Sequence, residues 1–200
     1  MTHALPFVCF FVAAAPVSEL PTPAESARRV VDAAKAEKAP LPEELSVKLA
    51  ASDDPRDVWL AVAAHTLIEV EINPEMRVKV AAGPAKPTLT AGRTMPFFVR
   101  VENRCGATAR LAVTATDLAS NNAETPDWLD VEIVNAKGHS DRLSGAPIDY
   151  KLLMCRIAEP GRREVRLGFD AGQGTQDLGF RGVTDILFHV RKEDAAPSGD

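Results

Sequence analysis

The sequence predicts a mainly β protein, an antiparallel β-sandwich of the immunoglobulin-like or jelly-roll-like type, with an α-helical segment in front of it. Apolar residues recur at helical spacing only before about residue 65, and alternation with a period of two dominates after it. No helical segment separates the strand candidates, which favours an antiparallel sandwich over a parallel α/β sheet. With 200 residues, 46% hydrophobic and 26% charged, the chain has the composition of a folded globular protein.

The first residues have the pattern of a secretion signal. The apolar run within residues 1–14 is too short to cross a bilayer as a stable helix, and Val12, Ala13 and Ala14 form a triplet suited to a signal peptidase. No Lys or Arg precedes the run, so a buried N-terminal helix stays open as the alternative. The signal peptide predicts a periplasmic or secreted protein that has no transmembrane segment once the leader is removed.

Residues 20–64 predict the helical segment. Thr22 and Glu25 have the spacing of a capping box, and an alanine-rich run follows them. A second helix is predicted from near Glu43 and a third after Pro55. Apolar residues recur at helical spacing in both, which predicts that one face of each helix packs against a core.

Residues 67–191 predict the β-sandwich domain. Leu67–Ile72 and Met76–Ala81 alternate on either side of the turn Asn73–Glu75, a pattern typical of a hairpin. The polar residues 192–200 predict a disordered tail. The further strand candidates are residues 88–90, 97–102, 110–114, 130–134, 148–157, 163–169 and 186–190.

Alternation also assigns the faces of these strands. Val99 and Val101 are expected in the core, with Arg100 between them facing solvent. On a later strand, Val165 and Leu167 are expected inside in the same way.

Net charge and cysteine content narrow the class of partner. A formal charge of −5 argues against nucleic acid, whose binding needs clustered Lys and Arg. Cys105 and Cys155 remain after leader removal, and an oxidising compartment permits a disulfide between them. The alternative is a buried thiol at Cys155 and a loop position for Cys105, and both possibilities stay open. No zinc motif is present, so neither a metal nor a cofactor is predicted.

A glycine loop within Phe169–Arg181 is the main candidate site. It lacks the third glycine of a dinucleotide fingerprint and the Lys of a phosphate loop, which excludes both interpretations. An ordered connection between strands or a recognition surface remains. The predicted binding residues are Asp170, Gln173, Thr175, Asp177 and Arg181 of this loop, with Asn103 and Arg142 from neighbouring loops.

Catalytic residues are poorly supported by the sequence. His139 is followed by Ser140 and Asp141, but neighbours along the chain rarely converge as a nucleophile, a base and its orienting group. We therefore expect His139 to be an exposed loop residue. A small metal-dependent hydrolase built around Asp170, Asp177 and His139 is kept as the alternative function.

Four stretches carry a family resemblance: Ile72–Val80, Phe98–Asn103, Arg142–Gly145 and Phe169–Arg181. They resemble an uncharacterised β-domain of exported bacterial proteins, and the likeness spans residues 67–191. In longer members of that family the domain precedes a metallohydrolase of the polymerase-and-histidinol-phosphatase type. The resemblance implies an accessory sandwich with a metallohydrolase as a partner, and it implies no metal-binding residues in this chain.

Taken together, the sequence predicts a non-catalytic extracytoplasmic module that binds a protein or glycan ligand or serves in assembly. A purely structural domain, whose loops only close the fold, is a further possibility.

Overall fold

Three helices form the N-terminal part of the structure, a computed structural model that describes residues 19–119, 125–172 and 180–192. They are α1 Pro23–Ala36, α2 Glu43–Ala51 and α3 Pro55–Val62, and a 3-10 turn, Ala63–His65, leads into the sheets. The predicted signal peptide, residues 1–14, lies outside the described residues, as does all of the predicted tail except residue 192. No helix in the described ranges is long and apolar enough to cross a membrane.

The helix starts follow from local sequence. The Thr22 hydroxyl accepts from the Glu25 N–H at 3.2 Å, and the Glu25 carboxylate accepts from the Thr22 N–H at 2.8 Å. This confirms the predicted capping box, which satisfies two N–H groups that would otherwise lack partners. Asp54 caps α3 by accepting from the N–H groups of Arg56 and Asp57 at 2.8 and 3.3 Å.

Nine strands follow within the described residues and form two packed sheets, which confirms the predicted β-sandwich. One sheet has five strands in the order β2-β1-β4-β7-β6, and the other has four in the order β3-β9-β8-β5. The strands are β1 Thr66–Ile72, β2 Val78–Ala82, β3 Thr88–Thr90, β4 Thr94–Asn103, β5 Ala112–Asp117, β6 Leu129–Ile133, β7 Ile148–Ile157, β8 Gly161–Asp170 and β9 Arg181–Arg191.

Strand pairing is mostly antiparallel. β1 and β2 form the predicted hairpin, and the Asn73 side chain closes its turn by accepting from the N–H groups of Glu75 and Arg77 at 3.1 and 2.8 Å. The pairs β1–β4 and β3–β9 are parallel. Parallel neighbours need a crossover connection, so these two pairs join strands that are distant in sequence.

The main core lies between the two sheets. Val99 and Val101 of β4, and Val165 and Leu167 of β8, are fully buried there, as the alternation predicted. Side chains of these strands interdigitate across the gap and exclude water from both inner faces.

A second core covers the outer face of the five-stranded sheet. Phe98 of β4 and Tyr150 and Leu152 of β7 pack against the three helices. The prediction that Arg100 faces solvent is therefore wrong. Its guanidinium carbon lies 5.3 Å from the centre of the Trp59 ring on α3. β7 is buried on both faces, which explains its nearly continuous apolar sequence.

Of the two possibilities left open for the cysteines, the structure has the second: both thiols are free, and Cys155 is buried. Cys155 of β7 pairs with Met95 near the start of β4, whereas Cys105 follows Asn103 at the end of β4. The eight residue steps from Met95 to Asn103 span about 26 Å of strand. Disulfide-bonded Cα atoms lie within about 7 Å of each other, so the two thiols are at opposite ends of the sheet.

Candidate functional site

The predicted loop site is described only at its base. Gln173, Thr175 and Asp177 lie outside the described residues. Asp170 ends β8 and Arg181 begins β9, and the two side chains approach each other at 3.5 Å. Asp170 also accepts from the Gly172 N–H at 2.8 Å, so its carboxylate closes the base of the loop.

Asn103 has a structural role instead of the predicted binding role. Its side chain is 3% exposed, and its amide nitrogen donates to the Ala107 carbonyl at 2.8 Å. Its amide oxygen accepts from the Ala107 N–H at 2.9 Å. The amide is thus engaged on both sides in closing the turn after β4, and its burial keeps it from a ligand.

Arg142 lies at a cleft that the sequence did not reveal. This cleft, which we call the α1–loop cleft, has a volume of about 620 Å³ and is bounded by α1, by residues 135–144 and by the first half of β7. The residues that matter below are Ser26 and Arg29 of α1, His139 and Arg142 of the loop, and Asp149 and Lys151 of β7.

The cleft forms where β7 extends beyond the end of its neighbour β6. β6 pairs with β7 only as far as Leu153, so the edge of β7 from Ile148 to Leu152 has no strand beside it. Side chains replace that strand: the Ser26 hydroxyl accepts from the Tyr150 N–H at 2.8 Å, and His139 accepts from the Leu152 N–H at 3.1 Å. Both backbone N–H groups are buried, and leaving them without an acceptor would lower the stability of the fold.

A buried ion pair stands beside this edge. Asp149 and Lys151 are 2% and 4% exposed, and the Lys151 ammonium lies 3.1 Å from the Asp149 carboxylate. Residues two apart on a strand share a face, which brings the two charges together. Removing charges from water is expensive, so such a pair persists only when its remaining hydrogen-bonding capacity is met.

Asp149 meets that condition on its own side. Its carboxylate accepts from the Ser26 hydroxyl at 2.6 Å, the Ser144 N–H at 2.8 Å and the Tyr150 N–H at 3.1 Å. Burial by itself raises the pKa of Asp149, but the Lys151 ammonium and the bonds from Ser26 and Ser144 outweigh it and hold the pKa below its ordinary value. The carboxylate therefore stays ionised and joins α1 to the sandwich.

Lys151 is equally engaged. Besides Asp149, its ammonium donates to the carbonyl of Ser140 at 3.1 Å and to the carbonyl of Arg142 at 2.6 Å. An ammonium has three protons, and three acceptors hold them here. Lys151 therefore fixes the loop and has no proton left to donate to a ligand.

His139 is buried, 5% exposed, and not the exposed loop residue that the sequence predicted. Ala136 and His139 exchange two backbone hydrogen bonds of 2.9 Å around Lys137 and Gly138, and Gly138 has a φ of 85°. This tight hairpin turn folds His139 back onto β7. Burial, with the nearby cations of Lys151 and Arg29, lowers the pKa of His139 to about 4.

The hydrogen bond of His139 fixes its tautomer. Because Nε2 accepts from the Leu152 N–H, the proton of the neutral ring is on Nδ1. Among the described residues Nδ1 has no hydrogen-bond partner, and the His139 ring lines the cleft. The ring thus has one N–H donor that no described residue accepts.

The charge of the cleft is positive. Arg29, Arg142 and Lys151 face one carboxylate, Asp149, among the lining residues. Asp141 lies nearby but is paired with Arg110. The guanidinium groups of Arg29 and Arg142 form no ion pair with any residue that the structure describes, and both residues are exposed.

Of the three residues of the alternative hydrolase, the two that the structure describes, His139 and Asp170, do not line one cleft. His139 lines the α1–loop cleft, Asp170 is not among the lining residues, and Asp177 lies outside the described part of the chain. The lone pair of His139 Nε2 is occupied by the Leu152 N–H, which blocks a metal there. The described residues contain no group of three or more His, Cys, Asp or Glu side chains placed to hold a metal ion.

Sequence reasoning missed Ser26, Arg29, Asp149 and Lys151. A signal for the last two was present: they are two charged residues, two positions apart, just before the apolar run Leu152–Cys155 of the same strand, which indicates a pair on one buried face. Ser26 and Arg29 carried no such signal, because contact between α1 and β7 is long-range.

Comparisons with known proteins add little. No family model and no curated protein match the chain. One solved structure with a similar chain is described as "Structure of PbICP-C in complex with falcipain-2". The match has 8% identity and a TM-score of 0.33, and it covers 64% of this chain and 92% of that one. A likeness of this size supports no argument about function.

Proposed function

We propose that this chain is a non-catalytic binding module whose ligand site is the α1–loop cleft. The observation that carries the proposal is the Nδ1–H of His139, a fixed donor on a nearly buried ring that faces an open cleft and has no described protein partner. A donor on a ring that lines a cleft, with no protein acceptor among the described residues, is free to bond a ligand.

The frame of the cleft is rigid, which favours binding. Asp149 ties α1 to β7, and Lys151 holds two carbonyl groups of the loop. Groups that are already fixed lose little conformational freedom when a ligand arrives, so more of the interaction energy appears as affinity.

The same hydrogen bonds argue against catalysis in this cleft. A general base needs a free lone pair, and the Nε2 lone pair of His139 accepts from the Leu152 N–H. His139 therefore cannot act through Nε2 as a base that activates the Ser140 hydroxyl. Lys151 donates to Asp149 and to two carbonyl groups of the loop, so its amine is not free to act as a nucleophile.

Export and an accessory role remain predictions. Export is supported by the pattern of residues 1–14, and pairing with a metallohydrolase is supported only by the family resemblance. A periplasmic or secreted location would make protein fragments and glycans the ligands most readily available to the cleft.

Filling the cleft tests the proposal directly. Thr108 is exposed and lines the cleft, so Thr108→Trp should fill it without disturbing the core. Thr94 is exposed at the start of β4 and does not line the cleft, so Thr94→Trp is the matched control. Calorimetric titration of the purified chain would use a panel of neutral sugars, amino acids, short peptides and small anions.

We expect at least one member of the panel to bind the wild type and Thr94→Trp, and not Thr108→Trp. A panel in which nothing binds, or in which Thr108→Trp binds as well as Thr94→Trp, would overturn the proposal and favour a purely structural domain.

A further inference from the structure

We infer that the α1–loop cleft binds an oxyanion, a carboxylate or phosphate group of a small molecule, which accepts hydrogen bonds from Arg29, Arg142 and the Nδ1–H of His139. This inference rests on the proposed function and names the chemical class of its ligand.

The distribution of charge is the first argument. The chain carries a formal charge of −5, yet three of the four charged residues that line this cleft are cations. A local positive potential on an acidic protein attracts anions and repels cations. A cationic ligand would face Arg29 and Arg142 with no free carboxylate to receive it.

Arg29 and Arg142, which have no ion-pair partner among the described residues, are each next to an arginine that has one. Arg28, next to Arg29 on α1, donates to the Asp53 carboxylate at 2.7 Å. Arg110, which forms a backbone bridge with Arg142, pairs with Asp141. Asp149, the carboxylate that lines the cleft, and Asp141 next to the loop are thus paired with Lys151 and Arg110, and the two arginines of the cleft are left available. Guanidinium groups suit carboxylate and phosphate because their planar donors match two oxygens at once.

The balance of donors and acceptors is the second argument. The acceptors near the cleft are occupied: the Asp149 carboxylate receives three protein donors in addition to Lys151, and the carbonyls of Ser140 and Arg142 receive Lys151. The charged groups left free, the guanidinium groups of Arg29 and Arg142, are donors, whereas the side chains of Thr108 and Asn135 can both donate and accept. A neutral sugar presents hydroxyl donors that need acceptors, whereas an oxyanion is an acceptor only. The free charged groups of the cleft therefore complement an oxyanion better than a neutral sugar.

His139 adds selectivity to this arrangement. Its ring is neutral near pH 7, so it donates a hydrogen bond without adding a charge. Its donor is also fixed in direction by the bond at Nε2. The site is thus two mobile charged groups on exposed side chains around one fixed neutral donor.

The test titrates the full chain with inorganic phosphate, with N-acetylglycine and with a neutral control, N-acetylglycinamide, at low ionic strength. Binding is followed by calorimetry and by NMR of the His139 ring. Phosphate and N-acetylglycine separate the two sources of the oxyanion, and N-acetylglycinamide should not bind. We expect Arg29→Gln and Arg142→Gln each to raise the Kd by about tenfold, the size typical of one charge-assisted hydrogen bond. Arg56→Gln, an exposed arginine on α3 outside the cleft, should leave the Kd unchanged.

Two variants of His139 separate binding from stability. In His139→Gln the side-chain oxygen can still accept from the Leu152 N–H, but the donor at Nδ1 is lost, so the Kd should rise while the melting temperature is largely kept. In His139→Asn the amide nitrogen replaces Nδ1 and the Leu152 N–H loses its acceptor, so the melting temperature should fall while oxyanion binding is kept. The reverse pattern would overturn the inference.

Other outcomes distinguish the inference from the function on which it rests. If a neutral member of the panel binds in a way that Thr108→Trp abolishes, and no oxyanion binds, the inference fails and the proposed function stands. If oxyanions bind but the Arg29 and Arg142 variants behave like Arg56→Gln, the inference fails as well. If nothing binds in the cleft, both fail.

Discussion

Asp149→Asn should be the most informative single change for the stability of this fold. The substitution keeps the size of the side chain and removes its charge, leaving the Lys151 ammonium buried without a counter-charge. It also replaces one acceptor oxygen by an amide that donates. With that amide toward Lys151 and the Ser144 N–H, donors would face donors, and in the opposite orientation the bond from the Tyr150 N–H is lost.

The magnitude follows from the burial of the pair. Removing one partner of a buried ion pair typically costs about 3–5 kcal/mol of stability. Asn keeps one oxygen that can still accept hydrogen bonds, so we expect a cost at the lower end, about 3 kcal/mol. The matched control is Asp185→Asn, which breaks an ion pair of 2.7 Å with Arg166 on the surface. Exposed pairs contribute less than about 1 kcal/mol, so this control should change stability little.

Urea unfolding followed by circular dichroism measures both variants. With a slope of about 2 kcal/mol per molar urea, a loss of about 3 kcal/mol lowers the midpoint by about 1.5 M. The double variant Asp149→Asn/Lys151→Met should lose clearly less than the sum of the two single variants, because the second change removes the stranded charge. A midpoint for Asp149→Asn no lower than that of Asp185→Asn, or additive losses in the double variant, would refute the argument.

Three further predictions concern pH, the thiols and a close backbone contact. The pKa of His139 falls from 6.5 to about 4 on folding, so the unfolded chain binds more protons than the folded chain between these pH values. The free energy of unfolding should therefore decline by up to about 3 kcal/mol as the pH drops through that window. Urea midpoints measured against pH should show this decline in the wild type and not in His139→Gln. Burial raises the pKa of the Cys155 thiol, so iodoacetamide should not label it until urea unfolds the chain. The partly exposed Cys105 should react in the native state. Mass spectrometry measures both, and a Cys105–Cys155 disulfide would contradict the structure. A Cβ at Gly83 would overlap the Thr66 carbonyl oxygen, so Gly83→Ala should cost about 2–3 kcal/mol in thermal unfolding. Gly92→Ala, where only a φ of 75° opposes the side chain, should cost less, about 1–2 kcal/mol, and equal costs would argue against that contact.

Local signals are what the sequence made predictable. The capping box of Thr22 and Glu25 and the turn at Asn73 each depend on residues within four positions of one another, and both formed as predicted. The alternation that buries Val99 and Val101 is local in the same sense, and it fixed which residues face the main core.

Non-local contacts explain the errors. Alternation predicted solvent around Arg100, but a sequence does not state which second layer covers the outer face of a sheet, and here the helices cover it. Likewise the exposure of His139 depends on β6 being shorter than β7, because a longer β6 would occupy the edge that His139 reaches. The distance that excludes the disulfide follows from the pairing of β4 with β7.

The candidate site arises from the way the fold protects an open sheet edge. An unpaired edge strand exposes backbone donors that invite pairing with another chain, and proteins cover such edges with loops or side chains. Here Ser26 and His139 accept the donors of Tyr150 and Leu152, while Asp149 and Lys151 hold the covering loop in place. Because the Nε2 atom of His139 accepts from the edge strand, the remaining nitrogen of the ring, Nδ1, is a donor. Together with the guanidinium groups of Arg29 and Arg142, it gives the cleft several hydrogen-bond donors. Changes in the ion pair should therefore weaken stability and binding together, whereas changes at the two exposed arginines should weaken binding alone.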